Sequence, residues 1–221
     1  MADIPDDIFT EQDADPNTLA KLGPLARLAG VWASEGPRGA DINPKADGPE
    51  HRVYSETIEA HPIDPQANGP QLLYGLRYHV HINTPEEDTT FHDQTGYWLY
   101  EPDTGLIMQT VSIPRGQVAL ASGFAKPEDT TLRLSAVRGK TDYGICSTSF
   151  LEQAFRTESY SIELTFNPDG SITYVTETML AVHGQEGLFN HRDTNTLVKV
   201  GEARPNPLFE IVGQGQGQGQ E

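Results

Sequence analysis

Apolar and polar residues alternate with a period of two along most of this chain, and Gly, Pro, Asn or Asp punctuate the alternation at short intervals. That is the mark of half-buried strands, and it predicts strands over 51–60, 71–83, 90–100, 105–113, 116–124, 130–138, 143–149, 154–167, 170–183 and 187–200. The clearest hairpin runs through Tyr160, Ile162, Leu164 and Phe166, turns at Asn167-Pro168-Asp169-Gly170 and returns through Ile172 and Tyr174. Glu101–Gly105 and Pro114-Arg115-Gly116 make similar short connections, so consecutive strands are expected to be antiparallel neighbours. Helical periodicity is nearly confined to Leu19, Leu22, Leu25 and Leu28, where Asn17-Thr18 offers a cap and Pro24 limits the helix to a short piece. A meander of about ten strands with no long crossover either exposes two edges or closes on itself, and closure removes the edges. The expectation is an all-β fold: one closed antiparallel up-and-down β-barrel of about ten strands with a short N-terminal helix placed to plug one end. Barrels of this size have room for one small ligand.

Composition changes the picture at the termini and in the choice of partner. Residues 1–17 are rich in Asp, Glu and Pro and read as a flexible or surface-hugging arm, 18–212 as the barrel domain, and the Gly/Gln repeat from 213 to 221 as a disordered tail. The net charge of -17 repels a phosphate backbone, so nucleic acid is not an expected partner. Mean hydropathy is -0.49 and the apolar runs are short, so no membrane-spanning helix is expected and the chain reads as soluble. The lone Cys146 and an opening MADIPDDIF without a basic or apolar leader point to the cytoplasm. No His or cation stands near Cys146 in sequence to activate it as a nucleophile.

Few residues offer chemistry on their own. Gly30-Val31-Trp32, at the start of the sheet region, stands where a lipocalin-like barrel carries a Gly-x-Trp, with the indole plugging the closed end. Arg77, His79 and His81 share one face of a strand, opposite Tyr78, Val80 and Ile82. His79-x-His81 followed by Glu86 imitates the first ligand motif of metal-binding cupins, but its glycines are misplaced and no second motif follows, so it stands as a runner-up metal site. Neither a carboxylate pair nor a nucleophile–base pair nor a phosphate-cradling loop is evident.

The segments FHDQTGYWLYEPDTGLIMQTVSIPRGQVALASG (91–123) and TETMLAVHGQEGLFNHRDTNTLVKV (176–200), together with the Gly-x-Trp, resemble the nitrobindin-like family of haem-binding β-barrels, a likeness spanning about 25–200. The resemblance implies haem b at the open end of the barrel, with His191 as the axial iron ligand, Phe91 packed on the porphyrin and His92 near the sixth position. Met179, on the penultimate strand, is a further candidate pocket residue. Where the family carries Tyr-Pro-Thr, with the Thr approaching haem, this chain has a longer run from Ser34 through Pro44, and Lys45 takes the place of the Thr. The implied activity is binding of nitric oxide or isomerisation of peroxynitrite to nitrate at ferric haem. The alternative is a non-enzymatic carrier of a fatty acid or other small hydrophobic ligand, anchored by Arg115 or Arg133. Pairing of two barrels as a homodimer stays open.

Overall fold

The structure, a computed structural model, describes residues 4–85 and 90–216. Thirteen strands form in chain order: β1 (Gly30–Ser34), β2 (Gly39–Asn43), β3 (Glu50–Pro62), β4 (Gln66–Asn68), β5 (Gln71–Asn83), β6 (Thr90–Glu101), β7 (Leu106–Ile113), β8 (Gln117–Phe124), β9 (Thr131–Val137), β10 (Ile145–Cys146), β11 (Phe155–Phe166), β12 (Ile172–Val182) and β13 (Phe189–Gly201). All pairings are antiparallel, and the sheet closes into a barrel of 10 strand positions because β1 and β2 together fill the single slot between β3 and β13. Short β4 folds back on β5 outside the closed sheet, and β10 pairs with β8. The β11–β12 hairpin turns where the sequence places it, with Gly170 at φ +85° and the Asn167 amide donating to the Ser171 carbonyl.

One end is stoppered. The N-terminal helical stretch divides into α1 (Thr18–Lys21), capped by the Asn17 side chain, and a 3-10 helix over Gly23–Leu28. Its Leu22, Leu25 and Leu28 are wholly buried, and the Trp32 indole donates to the Leu28 carbonyl at 2.9 Å, locking the plug to β1. The lead-in hugs the same end, where the Asp15 amide donates to the Tyr74 hydroxyl and Gln12 to the Pro70 carbonyl. Among the described residues no helix is long and apolar enough to cross a membrane.

Two expectations change. Only Ile145–Cys146 of the predicted strand 143–149 pairs; the chain then enters α2 (Ser149–Ala154), where Thr148 Oγ1 accepts from the Leu151 amide as an N-cap. The tail expected to be disordered from 213 instead continues α3 (Pro207–Gln216), while 217–221 lie outside the described residues.

The barrel seam is narrowest between β8 and β9, joined by the single register pair Ser122↔Ser135. There Gly123 meets β9 so closely that a Cβ would lie 1.9 Å from the Arg133 carbonyl oxygen. A Gly123→Ala substitution therefore forces the strands apart and should cost about 1–3 kcal/mol as an overpacked contact. Thermal denaturation should show a midpoint lower by roughly 2–4 °C per kcal/mol; an unchanged midpoint would mean that the seam yields freely.

Above the stopper lies a buried polar floor. Tyr54, Glu56, Ile58 and Ala60 share the inward parity of β3, and Glu56 is 4% exposed. Its Oε2 accepts from the Tyr174 hydroxyl at 2.8 Å and the Asn195 amide at 2.9 Å, while Tyr54 and Tyr174 join hydroxyls at 2.8 Å. Desolvation outweighs these donors and pushes the Glu56 carboxyl up to about 7, against 4.5 in the unfolded chain. Because the folded value is the higher one, the contribution of Glu56 to stability is full below pH 4.5 and is lost as pH rises through about 7. Glu56→Gln keeps an acceptor and removes the titration. The variant should gain on the order of 3 kcal/mol relative to the parent between about pH 4.5 and about pH 8, measured as the difference between their urea unfolding free energies. Parallel pH profiles for the two proteins would contradict the buried acid.

Candidate functional site

The interior opens between floor and mouth into a cavity of about 560 Å³, within the ~300–1,000 Å³ range of small-ligand sites. Its walls come from alternate residues of successive strands: Ile58 on β3, Val80 and Ile82 on β5, Trp98 on β6, Ile162 and Leu164 on β11. A polar band crosses this apolar wall. The Tyr78 hydroxyl donates to the Thr110 carbonyl at 2.9 Å and accepts from Gln94 at 2.8 Å, and Tyr160 donates to Gln109 Oε1 at 3.0 Å. Burial raises the Tyr78 and Tyr160 hydroxyls above their ordinary range, so both stay protonated donors.

His191 stands on β13 near the open end, half-buried, on the inward parity that also carries Asp193, Asn195 and Leu197. Its Nδ1 donates to the Ile42 carbonyl at 2.9 Å, since a carbonyl can only accept. That bond fixes the ring and, in the neutral imidazole, leaves the lone pair on Nε2. Asp193 Oδ2 lies 3.5 Å from Nε2, and Asp41 Oδ1 lies 3.4 Å from Nδ1. The two carboxylates are direct cross-strand partners on β2 and β13. Burial first, and then the facing Asp193, pushes the Asp41 carboxyl well above the usual carboxylate range.

The other predicted residues divide. His92 lines the cavity, its Nε2 3.3 Å from Gln94 Oε1, and burial lowers its imidazole, which favours the neutral form. Phe91 lines the mouth under the Arg52 guanidinium, 4.9 Å from the ring centroid. Lys45 reaches the same rim and pairs with Glu50 at 3.4 Å, while Arg52 binds Glu50 at 2.6 Å. Met179 does not belong: Thr176, Thr178 and Leu180 face the cavity, so strand alternation turns Met179 to the outer surface. His79 and His81 also face outward, where His79 pairs with Asp93 and His81 with Thr90. They form no interior metal site, and Glu86 lies outside the described residues. Arg115 lines the mouth, whereas Arg133 is exposed and paired with Glu163.

Sequence reasoning misses the facing carboxylates Asp41 and Asp193, the acid Glu56, and α2, whose Leu151 lines the pocket. Signals exist for two of them: Glu56 shares the parity of Tyr54 and Ile58, and Thr148 precedes the helix-forming run Phe150–Ala154. The long run after Ser34 reaches the cavity at its end, where Asn43 and Pro44 line it. It forms β2, and in that way supplies Asp41.

A family model described as the THAP4-like, heme-binding beta-barrel domain matches residues 21–199. No curated protein matches the chain. Among solved structures, the crystal structure of Rv2717c from M. tuberculosis superposes with a TM-score of 0.58 at 21% identity, covering 85% of this chain and 99% of that one, a likeness of fold. With the model spanning the barrel from its stopper to β13, this chain belongs to the THAP4-like family of haem-binding β-barrels.

Proposed function

We propose that the barrel holds haem b with His191 Nε2 as the axial ligand, and that it binds nitric oxide or isomerises peroxynitrite to nitrate at that haem. The observation that carries this reading is the anchored imidazole: the 2.9 Å bond from Nδ1 to the Ile42 carbonyl presents Nε2 to a cavity of small-ligand size. An outer hydrogen bond of this kind fixes the tautomer and orientation of a metal-ligating histidine. When bound, haem supplies an iron at which a small oxygen or nitrogen ligand is held and rearranged. The chain supplies the rest. Phe91, Val80 and Ile82 give an apolar wall that limits water, and neutral His92 offers a ring nitrogen within the same cavity. Lys45, Arg52 and Arg115 set positive charge at the rim, where acid groups of a ligand remain solvated.

The carrier alternative finds less support. A fatty acid fits this cavity only with its carboxylate left at the rim beside Lys45, Arg52 and Arg115, since Glu56 and Asp193 line the interior, and it gives the anchored His191 imidazole no task.

The test is spectroscopic. Haemin added to the purified chain should give a shifted Soret band with one-to-one stoichiometry, and His191→Ala should abolish the shift or weaken haemin binding by at least about tenfold. The haem-loaded protein should speed peroxynitrite decay with nitrate as the product, and the His191→Ala protein should not. A Soret band unchanged by His191→Ala would remove the axial assignment, and an unshifted spectrum with the parent protein would remove the haem reading.

A further inference from the structure

The β2–β13 junction has more ligating capacity than one imidazole uses. Asp41, His191 and Asp193 each offer a donor atom, and the three atoms lie within 4.8 Å of one another. Asp193 Oδ2 stands 3.5 Å from His191 Nε2, close to the separation of about 3.4 Å that two ligands take around one tetrahedral first-row ion. That distance is too long for a hydrogen bond, and in the neutral imidazole with its proton on Nδ1 it sets a lone pair against a carboxylate oxygen.

Asp41 is the independent sign. Its side chain is 0% exposed. The Asn43 amide serves Oδ2, while Oδ1 is buried beside the His191 ring with no hydrogen-bond partner. A buried carboxylate oxygen without a donor is costly unless positive charge neutralises it. The orientation of the other two groups is already fixed, His191 by the Ile42 carbonyl and Asp193 by Thr176 Oγ1, which donates to Oδ2 at 3.2 Å. Outer partners of this kind are what a metal site requires of its ligands.

We propose that Asp41, His191 and Asp193 form a binding site for a divalent first-row transition cation of the Zn²⁺ or Fe²⁺ class, occupied in the barrel when haem is absent and exclusive with haem because both need His191. The mixed imidazole–carboxylate set suits such ions better than Ca²⁺ or Mg²⁺, which take oxygen ligands. Three protein ligands leave a coordination position open, the arrangement of a reactive rather than a purely structural centre. The inference shares His191 with the haem reading and does not depend on it.

The test uses the full chain stripped of metal and haem and titrated with Co²⁺, whose visible d–d bands report coordination, with calorimetry alongside. One Co²⁺ per chain is expected, displaced by Zn²⁺, and Asp41→Asn or Asp193→Asn should each weaken binding at least tenfold. If Asp41→Asn fails to fold, as judged by circular dichroism, Asp193→Asn carries the test. Saturating Zn²⁺ should raise the apparent haemin dissociation constant at least tenfold. Absence of one-to-one Co²⁺ binding, binding indifferent to these substitutions as for scattered surface acids, or haemin binding unaffected by Zn²⁺ would each overturn the proposal. A Soret shift without Co²⁺ binding overturns this site and leaves the haem reading standing. Co²⁺ binding without a Soret shift does the reverse.

Discussion

Closure of the sheet constrains everything else in this protein. In a closed antiparallel barrel each strand has a neighbour on both sides, so no strand can slip register without turning its inward residues outward. Here closure is achieved by dividing one strand position between two segments, β1 and β2, both seated between β3 and β13. The division has a functional consequence. β1 carries Trp32 into the stopper, while β2 carries Asp41 into the mouth. A break of a few residues after Ser34 thus lets the same strand slot serve both ends of the barrel, with rigid backbone on either side.

The interior created in this way is not uniformly apolar, and its polar groups are graded along the axis. At the floor, Glu56 is held by Tyr174 and Asn195, and Asn195 also reaches Ser34 Oγ at 2.9 Å. In the middle, Tyr78, Gln94, Gln109 and Tyr160 satisfy one another. Buried polar groups persist only with partners, and a fully connected network also fixes rotamers around a cavity that would otherwise let them relax. The mouth departs from this rule. Asp41 and Asp193 face each other, Asp193 held by Thr176 and the nearby His191 by the Ile42 carbonyl, while Asp41 Oδ1 has no hydrogen-bond partner. The contrast between a satisfied floor and an unsatisfied mouth marks the mouth as the place where a ligand completes the structure.

What the sequence discloses follows from the same contrast. β5 is legible to the residue at 71–83, and the β11–β12 turn is legible from Asn167-Pro168-Asp169-Gly170, because alternation and turn chemistry agree there. β2 is illegible for a physical reason: it points Asp41 and Asn43 inward and Ala40 and Ile42 outward, the reverse of an ordinary half-buried strand. A period-two reading of hydrophobicity turns such a strand inside out, so Asp41 could not be placed from pattern alone. His191 is legible by resemblance and not by pattern, since His191, Asp193 and Asn195 form a polar inward row of the same inverted kind. Met179 shows the opposite error. Its apolar character suggests the interior, but on β12 the inward row is Thr176, Thr178 and Leu180, and the side chain's parity overrides its hydropathy.

Electrostatics at the mouth then bear on which ligands can enter. A chain of net charge -17 opposes the approach of any anion from a distance. At physiological ionic strength that opposition is screened beyond about 8 Å, so the groups at the rim matter more than the total. Lys45 and Arg52 share the single carboxylate of Glu50, and Arg115 lines the same opening, so the rim retains positive charge against the acidic exterior. Deeper in stand the acids Asp41, Asp193 and Glu56, and burial shifts Asp41 and Glu56 toward their neutral forms. An acid-bearing apolar ligand is therefore favoured with its acids at the rim and its apolar body inside. A ligand that must drive its carboxylate to the floor meets Glu56. The same gradient draws a cation past the rim only if it is small and finds donors at once, which is the position His191 and its two flanking carboxylates occupy.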